Sequence, residues 1–383
     1  MRLNHLCSIA AGLVGLSSAE PHCTLTKPSK QLIDLNCTTN RIRFVGIGDW
    51  GDQRNHEGVK AVRDGILAEA KNGTLDFALA VGDNFYDKGV KNVTDRIWTD
   101  VWVDRFHIGK DLQVPWIALL GNHDHYGNAG AQVAYGESDS AASKYWIMPD
   151  NFYSVNARGP ANKMAKFVIS DTMILNDTKQ FDWIKQQVTD PAAATVLAVG
   201  HHQIYSHDSR GDNKDKPMVT LKQLLEAQSQ VKAYICGHEH DMQVLRANNV
   251  DHFVIGGGGH SINASEKTKN TSAEVVYFQK KFGYAVFDLD LGTSELNVTY
   301  KVFDLQGRNF EQKVFTRDYG VSHNRSNHSD TVSPSPIAPV TSKPKTSSAA
   351  ASAPPVLWTA SISTIIIIIN VIIRGTINHF TIS

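Results

Sequence analysis

The chain has no charge of its own to spare. Thirty-eight Lys and Arg are matched by 38 Asp and Glu over 383 residues. A protein that holds a polyanion by bulk charge carries a basic face, so nucleic acid is excluded as a structural partner on this ground. Internal repeats are lacking as well. The run Gly256–Gly259 lacks both a P-loop Lys and a following helix signal, which excludes a P-loop phosphate cradle. Cysteine is scarce, with four residues. Cys7 falls in an N-terminal leader, Cys23 and Cys37 flank 13 residues and are expected to close a small disulfide loop, and Cys236 lies in an apolar run that reads as core. What is abundant is histidine, with 16 residues.

The two ends read as lying outside the fold. Residues 1–19 have Arg2, an apolar stretch from Leu6 to Leu16 and the small residues Ser17, Ser18 and Ala19, the pattern of a signal peptide. Residues 20–40 read as a lead-in and 41–318 as the folded domain. Residues 319–355 form a Ser/Thr/Pro-rich linker that cannot bury a core. The hydrophobic segment 356–373, with five consecutive Ile, reads as a single span or as the signal for a lipid anchor, and a polar tail follows at 374–383. Nine Asn-x-Ser/Thr sequons then make N-linked glycans expected partners. The location implied is the secretory pathway: extracellular, cell-surface or lysosomal.

Within the body, short apolar runs alternate with helical spacing. Strands are expected at 41–48, 77–81, 116–120, 195–200 and 231–236, and helices at 55–71, 94–106, 178–188 and 218–228. A further set of strands is expected at 152–156, 166–171, 253–255, 283–289 and 296–303. The alternation implies βαβ units and the extra strands a second sheet. The fold class is therefore α/β, a β-sandwich of two mixed sheets flanked by helices. Each of the first five strands ends in Gly plus a polar residue: Gly48-Asp49, Gly82-Asp83, Gly121-Asn122, Gly200-His201 and Gly237-His238. Sites in open α/β sheets lie beyond the carboxyl ends of strands, and Gly there permits tight turns.

The full motifs are Gly48-Asp49-Trp50-Gly51, Gly82-Asp83-Asn84-Phe85-Tyr86, Gly121-Asn122-His123-Asp124, Gly200-His201-His202 and Gly237-His238-Glu239-His240. In order and spacing they resemble the calcineurin-like metallophosphoesterases, and within these the purple acid phosphatases of the short, tartrate-resistant type. The resemblance covers roughly residues 41–305 and implies an α/β/β/α four-layer metallophosphoesterase fold. It also implies a dinuclear metal centre. Asp83 is the bridging carboxylate; Asp49, Tyr86 and His240 complete a site of hard oxygen donors suited to Fe(III); and Asn122, His201 and His238 hold Fe(II), Zn(II) or Mn(II). Tyr86 is the discriminator, because many phosphodiesterases of this fold have no Tyr there.

The activity implied is hydrolysis of phosphate monoesters by direct attack of a metal-held hydroxide on phosphorus. His123 is the expected general acid, oriented by Asp124. For a second outer-sphere residue, family spacing lands on Arg210, with His207 the alternative. His202 and His125 are open candidates for pocket lining; His56, His107, His252 and His260 read as ordinary residues, and the loop 208–216 as solvated. Two other readings compete. One is a phosphodiesterase or nucleotide phosphatase on the same fold, against which Tyr86 argues. The other is a weakly active, membrane-anchored scaffold, against which the complete ligand set argues.

Overall fold

The computed structural model describes residues 22–263 and 267–320. Strands and helices are numbered in chain order. A nine-stranded sheet runs from edge to edge through β1 (Cys23–Ser29), β2 (Leu32–Cys37), β7 (Tyr153–Arg158), β8 (Met164–Ile169), β9 (Ala193–Val199), β10 (Val231–Cys236), β12 (Val250–Ile255), β11 (Met242–Ala247) and β13 (Glu274–Gln279). A seven-stranded sheet runs through β16 (Glu311–Asp318), β15 (Glu295–Phe303), β14 (Phe282–Asp290), β3 (Arg41–Ile47), β4 (Phe77–Ala80), β5 (Trp116–Ala118) and β6 (Trp146–Ile147). Helices α1 (Glu57–Asn72), α2 (Asn122–His125), α3 (Ala129–Tyr135), α4 (Thr178–Val188) and α5 (Lys216–Glu226) complete the elements used below.

The sheets pack face to face through aromatic rings. Phe44 on β3 stacks between Phe77 at 4.6 Å and Phe287 at 4.7 Å, and meets Phe167 of the opposite sheet edge-on at 5.5 Å. Along β8 the residues alternate. Ala165, Phe167 and Ile169 join this inter-sheet core, whereas Met164 and Val168 join a second cluster with Ile184 and Val188 of α4 and Met218, Leu221 and Leu225 of α5. A sheet buried on both faces explains why its central strands read as continuous apolar runs. Val59, Val62 and Ile66, at helical spacing, turn one face of α1 onto β14 and β15. The four layers are thus helix, sheet, sheet, helix, as expected.

The folded chain starts earlier than the expected boundary at 41. Residues 23–37 form a hairpin at the edge of the nine-stranded sheet, with β2 parallel to β7. Cys23 and Cys37 face each other across it and form the disulfide. Cys236 is buried and free. The helix expected at 94–106 shrinks to one turn, Trp98–Val103, because Trp98 and Trp102 are pulled into an aromatic cluster with Tyr135 and Trp146. The leader at 1–19 and the hydrophobic segment at 356–373 lie outside the described residues, as does the linker from 321 onward. No helix of the described residues is long and apolar enough to cross a membrane.

Candidate metal centre

Both sheets feed one site. Parallel β3, β4 and β5 deliver Asp49, Asp83 and Asn122 from the seven-stranded sheet, and parallel β9 and β10 deliver His201 and His238 from the nine-stranded sheet. The strand ends interlock: Gly48 N–H donates to Ile255 O at 3.0 Å, and Asp49 N–H to Gly82 O at 3.1 Å. Asp49, Asp83 and His238 sit at φ of 58°, 50° and 68°. Left-handed backbone costs a non-glycine residue about 1 kcal/mol or more, and such strain gathers where function over-determines geometry. Gly82 is itself at φ 91°, and a Cβ there would lie 2.6 Å from His201 Nδ1. A Cβ on Gly121 would lie 2.2 Å from Asp83 Oδ1.

The donors converge in two groups that share Asp83. The Tyr86 hydroxyl lies 3.0 Å from Asp49 Oδ1, 2.9 Å from Asp83 Oδ2 and 3.2 Å from His240 Nε2. Ligand atoms of Asp49, Asp83 and His240 fall within 4.8 Å of one another. On the other side His201 Nε2 lies 3.4 Å from Asp83 Oδ2, 3.2 Å from Asn122 Oδ1 and 3.3 Å from His238 Nδ1. The backs of these rings are fixed, with His201 Nδ1 2.9 Å from Val81 O and His240 Nδ1 2.7 Å from Ser261 O. Such contacts set which nitrogen faces an ion. The set fits two cations that share Asp83: buried carboxylates and a phenol on one side, neutral amide and imidazoles on the other.

The electrostatics point the same way. Burial, then the Asp49 and Asp83 charges, push the Tyr86 phenol well above its ordinary pKa. A cation placed among these oxygens must displace that proton. Burial opposes ionisation of Asp83, but the His201 charge and hydrogen bond outweigh it and hold the carboxyl low. For His240 burial is likewise outweighed, here by the Asp49 hydrogen bond, and its pKa rises. Burial, then the charges of His201, His202 and Arg210, push His238 down.

His123 stands at the rim, its ring 4.4 Å from Tyr86 and its Nδ1 2.7 Å from Asp87 O. That bond leaves Nε2 available. Asp124 does not orient this ring. It is fully buried and accepts from Gly121 N, Asn84 N, Phe85 N and Gln132 Nε2 at 2.8–3.2 Å. It therefore ties the β4 and β5 loops together, and the carbonyl of Asp87 does the orienting. Burial, then the Asp83 charge, raise the Asp124 pKa to about 6. His207 is not brought to the site either: its ring packs 5.1 Å from Phe278 and its Nδ1 lies 3.0 Å from Lys269 O. Arg210 is brought there, with Nη1 3.0 Å from His238 Nε2.

The loop 208–216 is pinned in its first part, through 213, while residues 214–216 are exposed as expected. Asp208 is buried, Asn213 N–H donates to Ile204 O, and Asp212 is bound by Thr271 and Ser272. His202, 2.7 Å from Thr172 Oγ1, packs 4.2 Å from the His238 ring. His125 pairs with Asp171 at 2.8 Å. Asp208, Glu239 and Asp241 form a second buried acidic group. Lys280 ion-pairs with Asp208, and Gln243 and Gln203 donate to Asp241 and Glu239.

His260, read above as ordinary, was the residue missed. Its ring stacks on Tyr86 at 3.8 Å, Nδ1 lies 3.0 Å from Asp52 Oδ2, and its backbone N–H donates to Asp49 O at 2.9 Å. Its place after the Gly256–Gly259 run was the available signal.

Residues 42–242 match the calcineurin-like phosphoesterase family. The chain is 31% identical to human (Homo sapiens) tartrate-resistant acid phosphatase type 5 over 296 residues, covering 68% of this chain and 87% of that one. It is 27% identical to glideosome-associated protein 50 of Plasmodium falciparum, over 67% of this chain and 72% of that one. A solved structure, "GAP50 the anchor in the inner membrane complex of Plasmodium", superposes with a TM-score of 0.62 at 25% identity, over 74% of this chain and 90% of that one.

Proposed function

Since the chain belongs to the calcineurin-like phosphoesterase family, we propose that it is a dimetal acid phosphatase acting on phosphate monoesters. The observation that supports this most is the Tyr86 hydroxyl, 2.9–3.2 Å from Asp83, Asp49 and His240 within a complete seven-donor set. Fe(III) beside Tyr86 with Fe(II), Zn(II) or Mn(II) beside Asn122, His201 and His238 matches the donor chemistry. When bound, the two ions supply Lewis-acid neutralisation of phosphoryl charge and an acidified water.

The protein's own part is positioning and proton transfer. His123 donates Nδ1–H to Asp87 O and, in its imidazolium form, gives its Nε2 proton to the leaving oxygen of the ester as general acid. Tyr86, covered by His260 at 3.8 Å, is shielded on one face from water. Phosphate needs no basic patch in such a site, which agrees with the zero net charge. A secretory location is supported by the Cys23–Cys37 disulfide and by sequon residues Asn36, Asn72, Asn92, Asn176 and Asn270, all exposed. Attachment to a membrane through 356–373 is part of the same proposal. Its test is membrane fractionation with and without phosphatidylinositol-specific phospholipase: release supports a lipid anchor and retention a span.

The likeness to the Plasmodium anchor structure favours a second reading, a membrane-bound scaffold with little activity. One experiment separates the two. The domain is purified, its iron counted, its visible spectrum recorded, and p-nitrophenyl phosphate assayed from pH 4 to 8. A coloured, iron-loaded protein that turns over substrate supports the phosphatase. A colourless protein that hydrolyses nothing overturns it and leaves the scaffold.

A further inference from the structure

The position that family spacing assigns to a second outer-sphere residue is Arg210, and its guanidinium does not point into open solvent. Nη1 lies 3.0 Å from His238 Nε2, while Nε lies 3.6 Å from Glu239 Oε2. Arg210 is half-exposed, whereas Glu239 is buried, so the fixed partner is the carboxylate and the movable one the arginine. The chain of residues 208–211 is held from behind, with Gly211 N–H donating to Asp208 O and Lys269 Nζ to Arg210 O.

An arginine has donors only, and a neutral imidazole has one accepting nitrogen. Where Arg210 donates to His238 Nε2, the ring proton must sit on Nδ1. Yet Nδ1 is the nitrogen that faces His201 Nε2 at 3.3 Å, on the side of Asn122 and Asp83. A divalent ion held by those residues needs the lone pair of Nδ1. One lone pair thus has two claimants. His201 and His240 stand in contrast, since their rear nitrogens face backbone carbonyls, which take a ring proton and leave the front nitrogen free for an ion. A positive guanidinium also repels a second cation on the same ring. Tyr86, Asp49 and His240 have no such competitor among the described residues.

We propose that Arg210 acts as a latch on His238 that weakens the second metal position, so that the chain fills the Tyr86 side first and holds a second ion loosely. This rests on the dimetal reading above. It assigns Arg210 a positioning role, exerted through His238, and makes the protein a one-ion species wherever divalent metal is scarce.

The test is Arg210→Met, which keeps the aliphatic stem and removes every donor. Mn2+ is titrated into wild type and variant carrying one equivalent of iron, with free Mn2+ counted by electron paramagnetic resonance. The variant is expected to bind its second ion about tenfold tighter or more, the scale on which partners of ligating histidines act. Nitrogen-15 spectra of labelled histidine in the metal-free proteins supply a second readout. In wild type, where Arg210 donates to Nε2, His238 should carry its proton on Nδ1; in the variant the Nε2 resonance should lose the shift imposed by the guanidinium, while Nδ1 still faces His201 Nε2. Equal Mn2+ affinity in the two proteins, or a wild-type His238 protonated on Nε2, overturns the latch and leaves the dimetal reading standing. Failure of both proteins to hold any ion overturns the two together.

Discussion

At the scale of single residues the site is a contest between protons and cations. Tyr86 is neutral among two carboxylates, and only a strongly charged ion displaces its proton. If Tyr86 binds Fe(III) as proposed, its phenolate gives the iron-loaded protein a visible charge-transfer band, and Tyr86→Phe should abolish that band while leaving the fold and circular dichroism intact. An unchanged band would refute Tyr86 as a ligand.

His125 offers a prediction about stability instead. Its hydrogen bond to Asp171 raises its pKa above the ordinary 6.5. A basic group whose folded pKa is raised stabilises the fold fully below its unfolded pKa, and that stability is lost as pH rises through the folded value. His125→Gln should therefore destabilise the protein by on the order of 1 kcal/mol at pH 5.5 and by little at pH 9. Urea unfolding at the two pH values checks this; an effect of equal size at both would place the role of His125 in packing. His260 teaches the complementary lesson. The Gly256–Gly259 run before it marks a strand end and says nothing of its partner, because the stacking joins it to Tyr86, a residue distant in sequence.

Among elements, the strand ends carry the design. A turn that must place a carboxylate at positive φ directly after a strand has little tolerance for volume. Gly82→Ala would thrust a methyl to 2.6 Å from His201 Nδ1 and 2.9 Å from Gly121 N, from a backbone at φ 91°. We expect a loss of about 1–3 kcal/mol in unfolding free energy and, because His201 must shift, weaker retention of the second metal. Thermal melts and metal analysis check both parts; wild-type metal content would show that the turn relaxes without moving His201.

These turns were also the most legible elements, because Gly-Asp, Gly-Asn and Gly-His after an apolar run combine a local backbone demand with the chemistry of the site. The central strands were legible for a similar reason, as in Val231–Cys236, where burial on both faces leaves an apolar run. Edge strands were not. In β13 and β16 most side chains are exposed or half-exposed, and sequences such as EQKVFTRD carry no core signal. Asp124 was misplaced for another reason. A buried carboxylate looks the same in sequence whether it orients a ring or collects backbone N–H groups, and only the arrangement of the Asn84 and Gly121 loops decides.

For the whole molecule, the decisive fact is that the site spans the seam between two sheets, so its geometry depends on their packing rather than on either edge. The β1–β2 hairpin lies at one such edge, and β7 and β8 separate it from β9, the first strand that ends in the site. Its disulfide closes a loop of sequence separation 14, which in the chain-entropy account stabilises the fold by about 3 kcal/mol through restriction of the unfolded chain. Replacing Cys23 and Cys37 together by Ala should therefore lower the unfolding free energy by about 2–3 kcal/mol. Because two strands, β7 and β8, separate that hairpin from the first strand that ends in the site, iron content and the visible band at 25 °C should not change. Denaturant unfolding and the spectrum, measured on one preparation, test both halves. A shifted band or lost iron in a still-folded double variant would show that the edge hairpin is coupled to the seam. The nine-stranded sheet would then have to be regarded as one mechanical unit from β1 to the metal centre.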